Sequence, residues 1–87
     1  MTETKQKLPE WFTGSLYREG SIVENPFSKE EYELNNVELS MYDFLIGCAR
    51  LFSARSTRIT DEMIKDYEKG IRWFRQNNPE AYMALLD

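Results

Sequence analysis

"VENPFSKEEYELNNVELSMYDFLIGC", residues 23–48, passes from a turn-centred, alternating pattern straight into a thick apolar helix, with one Asn-Asn pair at the join. The short runs SIVE (21–24) and EYEL (31–34) carry β-branched or aromatic residues, with Ile22/Glu24 and Tyr32/Leu34 in alternation. Between them stands Asn25-Pro26-Phe27-Ser28. Asn before Pro starts a turn, because Asn bonds its own downstream backbone and Pro presets its φ. The pattern predicts a β-hairpin with Tyr32 and Leu34 turned inward and Glu31 and Glu33 in solvent. A lone two-stranded hairpin is marginal in water, so it must lie on something apolar.

The next segment supplies that surface. Asn35 or Asn36 can cap a helix, and Glu38, three residues after Asn35, stands where a capping-box acid belongs. Val37, Met41, Phe44, Leu45, Cys48, Leu51 and Phe52 then follow helical spacing, and Leu39, Tyr42, Ile46 and Ala49 widen the apolar arc beyond half the circumference. Such a helix must be covered on two sides. Its remaining stripe is Ser40, Asp43, Gly47, Arg50 and Ala54. Within that stripe Asp43, Gly47 and Arg50 form a candidate self-association surface, because glycine lets helices approach closely and Asp43 can pair with Arg50 of a second copy.

Further along, SARSTRI (53–59) reads as a polar loop, and Thr60 caps a second helix with Asp61 and Glu62 in its first turn. Met63, Ile64, Tyr67, Gly70, Ile71 and Phe74 share one face of that helix. Asn77-Asn78-Pro79 ends it near Asn77 and starts a short third helix over 79–86, since Pro is tolerated at a first helical position. Tyr82, Leu85 and Leu86 fall on one side of the third helix. Upstream, Pro9 precedes Trp11 and Phe12, which suggests an aromatic clamp. The expected core is Met41, Phe44, Leu45, Cys48, Ile71 and Phe74. The fold class that follows is α+β, with an N-terminal β-hairpin packed on a small bundle of two longer helices and one short C-terminal helix. It is expected as a single domain over 1–87 with residues 1–7 flexible.

Composition narrows the chemistry. At 87 residues, 41% apolar and 30% charged, the chain can bury one modest core. A single cysteine, Cys48, excludes an intrachain disulfide, and the lack of histidine removes Cys/His zinc sites and triads that need an imidazole base. Without an apolar leader or a long uncharged helix, the expected setting is cytoplasmic, with no membrane partner. The net charge of −4 is uneven. Residues 1–44 hold nine acids against four bases, whereas 45–58 hold Arg50, Arg55 and Arg58 with no acid. That balance disfavours gripping many phosphates of a duplex.

Four surfaces are candidate sites. Trp73 lies off the second helix's apolar stripe, beside Lys69 and Arg72, so it is either roofed by Trp11, Phe12 or Tyr82 or serves as an anchor for a protein partner. The bases Lys65, Lys69, Arg72 and Arg75 interleave with aromatics, but Asp61 to Lys65 and Glu68 to Arg72 are favourable i, i+4 pairs, the pattern of a solvated helix face. Arg55 and Arg58 are anion candidates, opposed by Asp61 and Glu62 at the adjacent helix N-terminus. Glu30, Glu31, Glu33 and Glu38 carry no calcium-loop spacing and read as a charged outer face that discourages edge-to-edge sheet pairing.

The stretches KLPEWF, NPFSKEEYELNNVELSMYDF and WFRQNNPEAYMALLD resemble a family of short uncharacterised proteins associated with marine phages, cyanophages especially. That resemblance implies a small phage-encoded protein of the infected cell's cytoplasm and brings no catalytic residue with it. Together these readings predict a non-enzymatic protein-binding module without catalytic residues, cofactor or metal. Trp73, Lys69, Arg72, Trp11 and Phe12 are its contact candidates. The alternative is a structural homo-oligomer or minor virion component built on Asp43, Gly47 and Arg50. A third reading is nucleic-acid binding through the Arg50–Arg58 region.

Overall fold

A computed structural model describes residues 7–12 and 14–86. In chain order it comprises strands β1 (Ser21–Glu24) and β2 (Glu31–Leu34), then helices α1 (Asn36–Ser53), α2 (Asp61–Asn77) and α3 (Pro79–Leu85). The fold is α+β, an antiparallel hairpin followed by three helices. The expectation for residues 1–6 lies outside the described residues, while Lys7 is held by Trp73, as described below. No helix among the described residues is long and apolar enough to cross a membrane.

Local chemistry sets each boundary. In the hairpin, Ser21 faces Leu34, Ile22 faces Glu33, Val23 faces Tyr32 and Glu24 faces Glu31. Leu34 is fully buried and Tyr32 partly so, whereas Glu31 and Glu33 are exposed, as the alternation requires. Gly20 meets the far end of β2. A Cβ there would collide with the Leu34 carbonyl oxygen and come within 2.8 Å of the Asn35 Cα, so only glycine fits this approach. At the join, Asn35 is the N-cap of α1 within a full capping box: its side chain accepts the Glu38 N–H at 2.8 Å, and Glu38 Oε1 accepts the Asn35 N–H at 3.1 Å.

Helix α1 ends in a reciprocal pair of bonds, Ser56 N–H to the Leu51 carbonyl and Arg55 N–H to that of Phe52, with Arg55 at φ 54°. This is a Schellman closure with arginine at the left-handed position that glycine ordinarily fills. Ser53 therefore closes the helix, and the connecting loop begins one residue later than the polar run suggested. Thr60 accepts the Met63 N–H to start α2, and Asn78 accepts the Ala81 N–H to start α3, with Pro79 at its first position.

The core joins α1, α2, α3 and β2 through Leu34, Met41, Leu45, Phe74, Ala81, Ala84 and Leu85. Where α1 and α2 approach, Gly70 leaves room for Leu45 and Met41: a Cβ would stand 2.8 Å from Leu45 Cδ2 and 3.1 Å from Met41 Sδ. Gly70 is thus a point of close approach between two helices of this chain. Of the expected core, Met41, Leu45, Cys48 and Phe74 are buried, while Phe44 and Ile71 pack at its margin. Ile64, toward the N-terminal end of the α2 stripe, is exposed, and the buried residues of α2, Gly70 and Phe74, lie in its C-terminal half. On α3 it is Ala81, Ala84 and Leu85 that are buried; the small alanines let the short helix sit close to the hairpin.

Two buried polar clusters tie the layers together. Glu38 accepts from the Asn35 backbone through one oxygen and from Asn78 Nδ2 at 2.9 Å through the other, while Asn78 Oδ1 caps α3 and receives the Tyr32 hydroxyl at 3.4 Å. Glu38, expected on the charged outer face, is therefore buried. Ser40, expected on the exposed stripe, is only 1% exposed. It accepts the Tyr17 N–H at 2.9 Å and donates to the Asn36 carbonyl at 2.7 Å, while Asn36 Nδ2 donates to the Tyr17 carbonyl at 3.2 Å. The stripe's first turn is roofed by the chain that enters the hairpin.

Candidate docking cleft

The hairpin turn is anchored before it is shaped. Asn25 Nδ2 donates to the Ala84 carbonyl at 2.9 Å, and Asn25 Oδ1 accepts the N–H of Phe27 at 2.8 Å and of Ser28 at 3.3 Å. One buried side chain thus folds the turn, the role the Asn-Pro step predicts, and also fixes it to α3. Closure of the loop by Lys29 N–H to the Asn25 carbonyl puts Lys29 at φ 66°. The outcome is a rigidly based turn whose Phe27 is 93% exposed.

Beside that turn runs an open trough of about 820 Å³ between β1 and the outer side of α1. Val23, Tyr42, Ile46 and Ala49 make its apolar floor, Pro26 and Phe27 its end, and Glu24, Asp43 and Arg50 charged points along it. No residue of β2 lines it, so it opens on the unpaired side of β1. Burial raises the Tyr42 phenol above its ordinary range, and the Arg50 charge opposes that shift in part. Asp43 is engaged by the Tyr17 hydroxyl. That hydrogen bond, with the carboxylate charge behind it, raises the Tyr17 phenol.

Comparison with family models, curated proteins and solved structures found no match.

The contact candidates divide into two places. Trp11, Phe12 and Phe44 form a cluster with ring centroids 5.6 to 6.4 Å apart, and Lys69 Nζ stands 5.9 Å from the Trp11 ring centre. Trp73 is half-buried, packs edge-on against Phe74, and donates its indole N–H to the Lys7 carbonyl at 3.0 Å. The N-terminal segment therefore crosses α2 and supplies the polar partner of the indole. Arg72 is exposed and lies along a shallow depression with Tyr67, Glu68, Ile71 and Arg75.

The self-association candidates Asp43, Gly47 and Arg50 are all exposed on α1, and Asp43 and Arg50 both line the trough. Gly47 faces open space, with nothing within 4 Å of a Cβ placed there. Arg55 and Arg58 are exposed on the loop after α1. Cys48 is buried, and desolvation first, then the Asp66 charge, raises its thiol. Among the described residues no group of three or more His, Cys, Asp or Glu gathers where it could hold a metal ion. The residues that sequence reasoning missed are Val23, Phe27, Tyr42 and Ile46 as walls of one trough. Phe27 in a polar turn was the available signal, since a large apolar residue there has no core to enter.

Proposed function

We propose that this chain is a non-enzymatic protein-binding module and that the trough between β1 and α1 is its docking surface. The observation that carries the reading is Phe27, held 93% exposed at the end of an apolar floor by a turn that is hydrogen-bonded at its base. Isolated surface apolar residues are ordinary, but one fixed beside a contiguous apolar trough is the arrangement of an interaction site. In line with the resemblance noted above, the partner is a host or phage protein met in the cytoplasm of an infected cell.

Affinity purification from expressing or infected cells, run in parallel with wild type and Phe27→Ser, tests this. The expected outcome is a specific protein captured by wild type and lost with Phe27→Ser at unchanged melting temperature. Equal capture by both rejects the trough. The open space over Gly47 supports a second reading, self-association through the α1 outer face. A dimer mass in light scattering, abolished by Gly47→Leu, selects that reading, and a monomer selects a foreign partner.

A further inference from the structure

The trough borders a strand edge as well as a helix. Among the described residues β1 pairs only with β2, in a two-stranded sheet. The Asn25 N–H bonds the Glu30 carbonyl at 2.8 Å, so the antiparallel ladder alternates from that pair. Counted from that bond, Val23/Tyr32 and Ser21/Leu34 are the hydrogen-bonded pairs of the ladder, whereas Ile22/Glu33 and Glu24/Glu31 are not. The N–H and C=O groups of Ile22 and Glu24 consequently point away from β2, toward the side on which the trough opens. Among the described residues the Ile22 carbonyl meets a long 3.4 Å contact from the Ser21 hydroxyl.

The outer face of the hairpin adds a charge requirement. Glu24 stands directly opposite Glu31, and Glu33 stands opposite Ile22, which is 62% exposed. Like charges directly across a ladder destabilise it, and no base of either strand relieves them. A third strand laid along β1 would set alternate residues beside Ile22 and Glu24 on this face and the intervening ones over Val23 and Ile46 in the trough. Basic residues suit the first set and apolar residues the second. A second copy of β1 is a poor occupant, because SIVE brings another acid and no base.

We infer that the trough receives an extended segment of a partner protein, alternating basic and apolar residues, which pairs as a third strand with Ile22 and Glu24 of β1. The inference rests on the protein-binding reading above and names the partner's chemistry and mode. Backbone pairing along the edge supplies affinity, and the alternate side chains supply selectivity.

A blocked heptapeptide alternating valine and lysine serves as the probe, titrated into the full chain while backbone amide exchange is followed residue by residue. The expected result is a slowing of about tenfold or more at the Ile22 and Glu24 amides. The same peptide with glutamate for lysine should bind roughly two- to fivefold more weakly, and Glu24→Lys should reverse that preference. N-methylation of the lysine amides, which face β1 in antiparallel pairing, or of the valine amides, which face it in parallel pairing, should abolish binding. Peptide binding without slowing at Ile22 and Glu24, or unaffected by N-methylation, overturns strand addition. Failure of the probe to bind while Phe27→Ser still abolishes partner capture overturns it too, and leaves the protein-binding reading standing. Slowing at Ile22 and Glu24 that follows protein concentration in the absence of peptide overturns it in favour of a second copy.

Discussion

Asn78 Nδ2 donates to Glu38 Oε2 at 2.9 Å across 40 residues of chain, and in doing so joins the first turn of α1 to the first turn of α3. The same asparagine caps α3 with its oxygen, so one side chain satisfies a buried carboxylate and an orphan helix N–H together. Asn78→Ala should therefore cost about 2–3 kcal/mol, the sum of a lost cap and a buried acceptor left short of a partner. Denaturant unfolding checks this. A double-mutant cycle with Glu38→Gln should return a coupling well above that of an exposed pair.

Phe74 is fully buried beneath α1, whereas Phe44 lies at the margin under Trp11 and Phe12. Phe74→Ala should cost about 3–5 kcal/mol. Phe44→Ala should cost nearer 2 kcal/mol, because part of its surface is already in water. Melting curves of the two variants that coincide would contradict this ordering.

Three glycines should respond to alanine with different signs. Gly47→Ala should stabilise by about 0.5–1 kcal/mol, since nothing meets the new methyl and helix propensity improves. Gly70→Ala should be mildly destabilising, as Leu45 and Met41 must shift their flexible ends. Gly20→Ala should be the worst, because its methyl strikes backbone at Leu34 and Asn35. Thermal denaturation of the three variants ranks them.

Arg55 and Lys29 occupy left-handed backbone at φ 54° and 66°. Glycine at either position relieves a steric cost of about 1 kcal/mol, offset in part by a freer unfolded chain, so Arg55→Gly and Lys29→Gly should each raise stability by a few tenths of a kcal/mol or more. Lower melting temperatures for both would contradict this.

Cys48, Tyr42 and Tyr67 all have raised pKa values, chiefly from burial, starting from ordinary values of 9.0 for the thiol and 10.0 for the phenols. Each group is neutral when protonated, and the folded state holds its proton more tightly than the unfolded chain. The stability this contributes is complete below the ordinary values and is lost as pH rises through the raised ones. Stability should thus be level near neutrality and fall progressively above about pH 9. Denaturant midpoints between pH 7 and 11 test this, and Tyr42→Phe with Tyr67→Phe should flatten the alkaline slope.

What the sequence determined by itself is everything governed by neighbours within a turn or two. Alternation in EYEL set which strand residues face inward. Asn35 with Glu38, Thr60, and Asn78 before Pro79 set where helices begin, because a cap and the N–H it satisfies are three residues apart. Asn25 before Pro26 set the hairpin turn. Tertiary structure alone decided the pairings that cross the chain. Glu38 is buried because Asn78, 40 residues away, completes its bonds. Ser40 is buried because Tyr17 crosses it. Helical periodicity reports which face is apolar but not what covers a polar one. The trough is of the same kind, since it exists only because a turn pinned to α3 by Asn25 stands off from α1, and that separation depends on contacts distant in sequence.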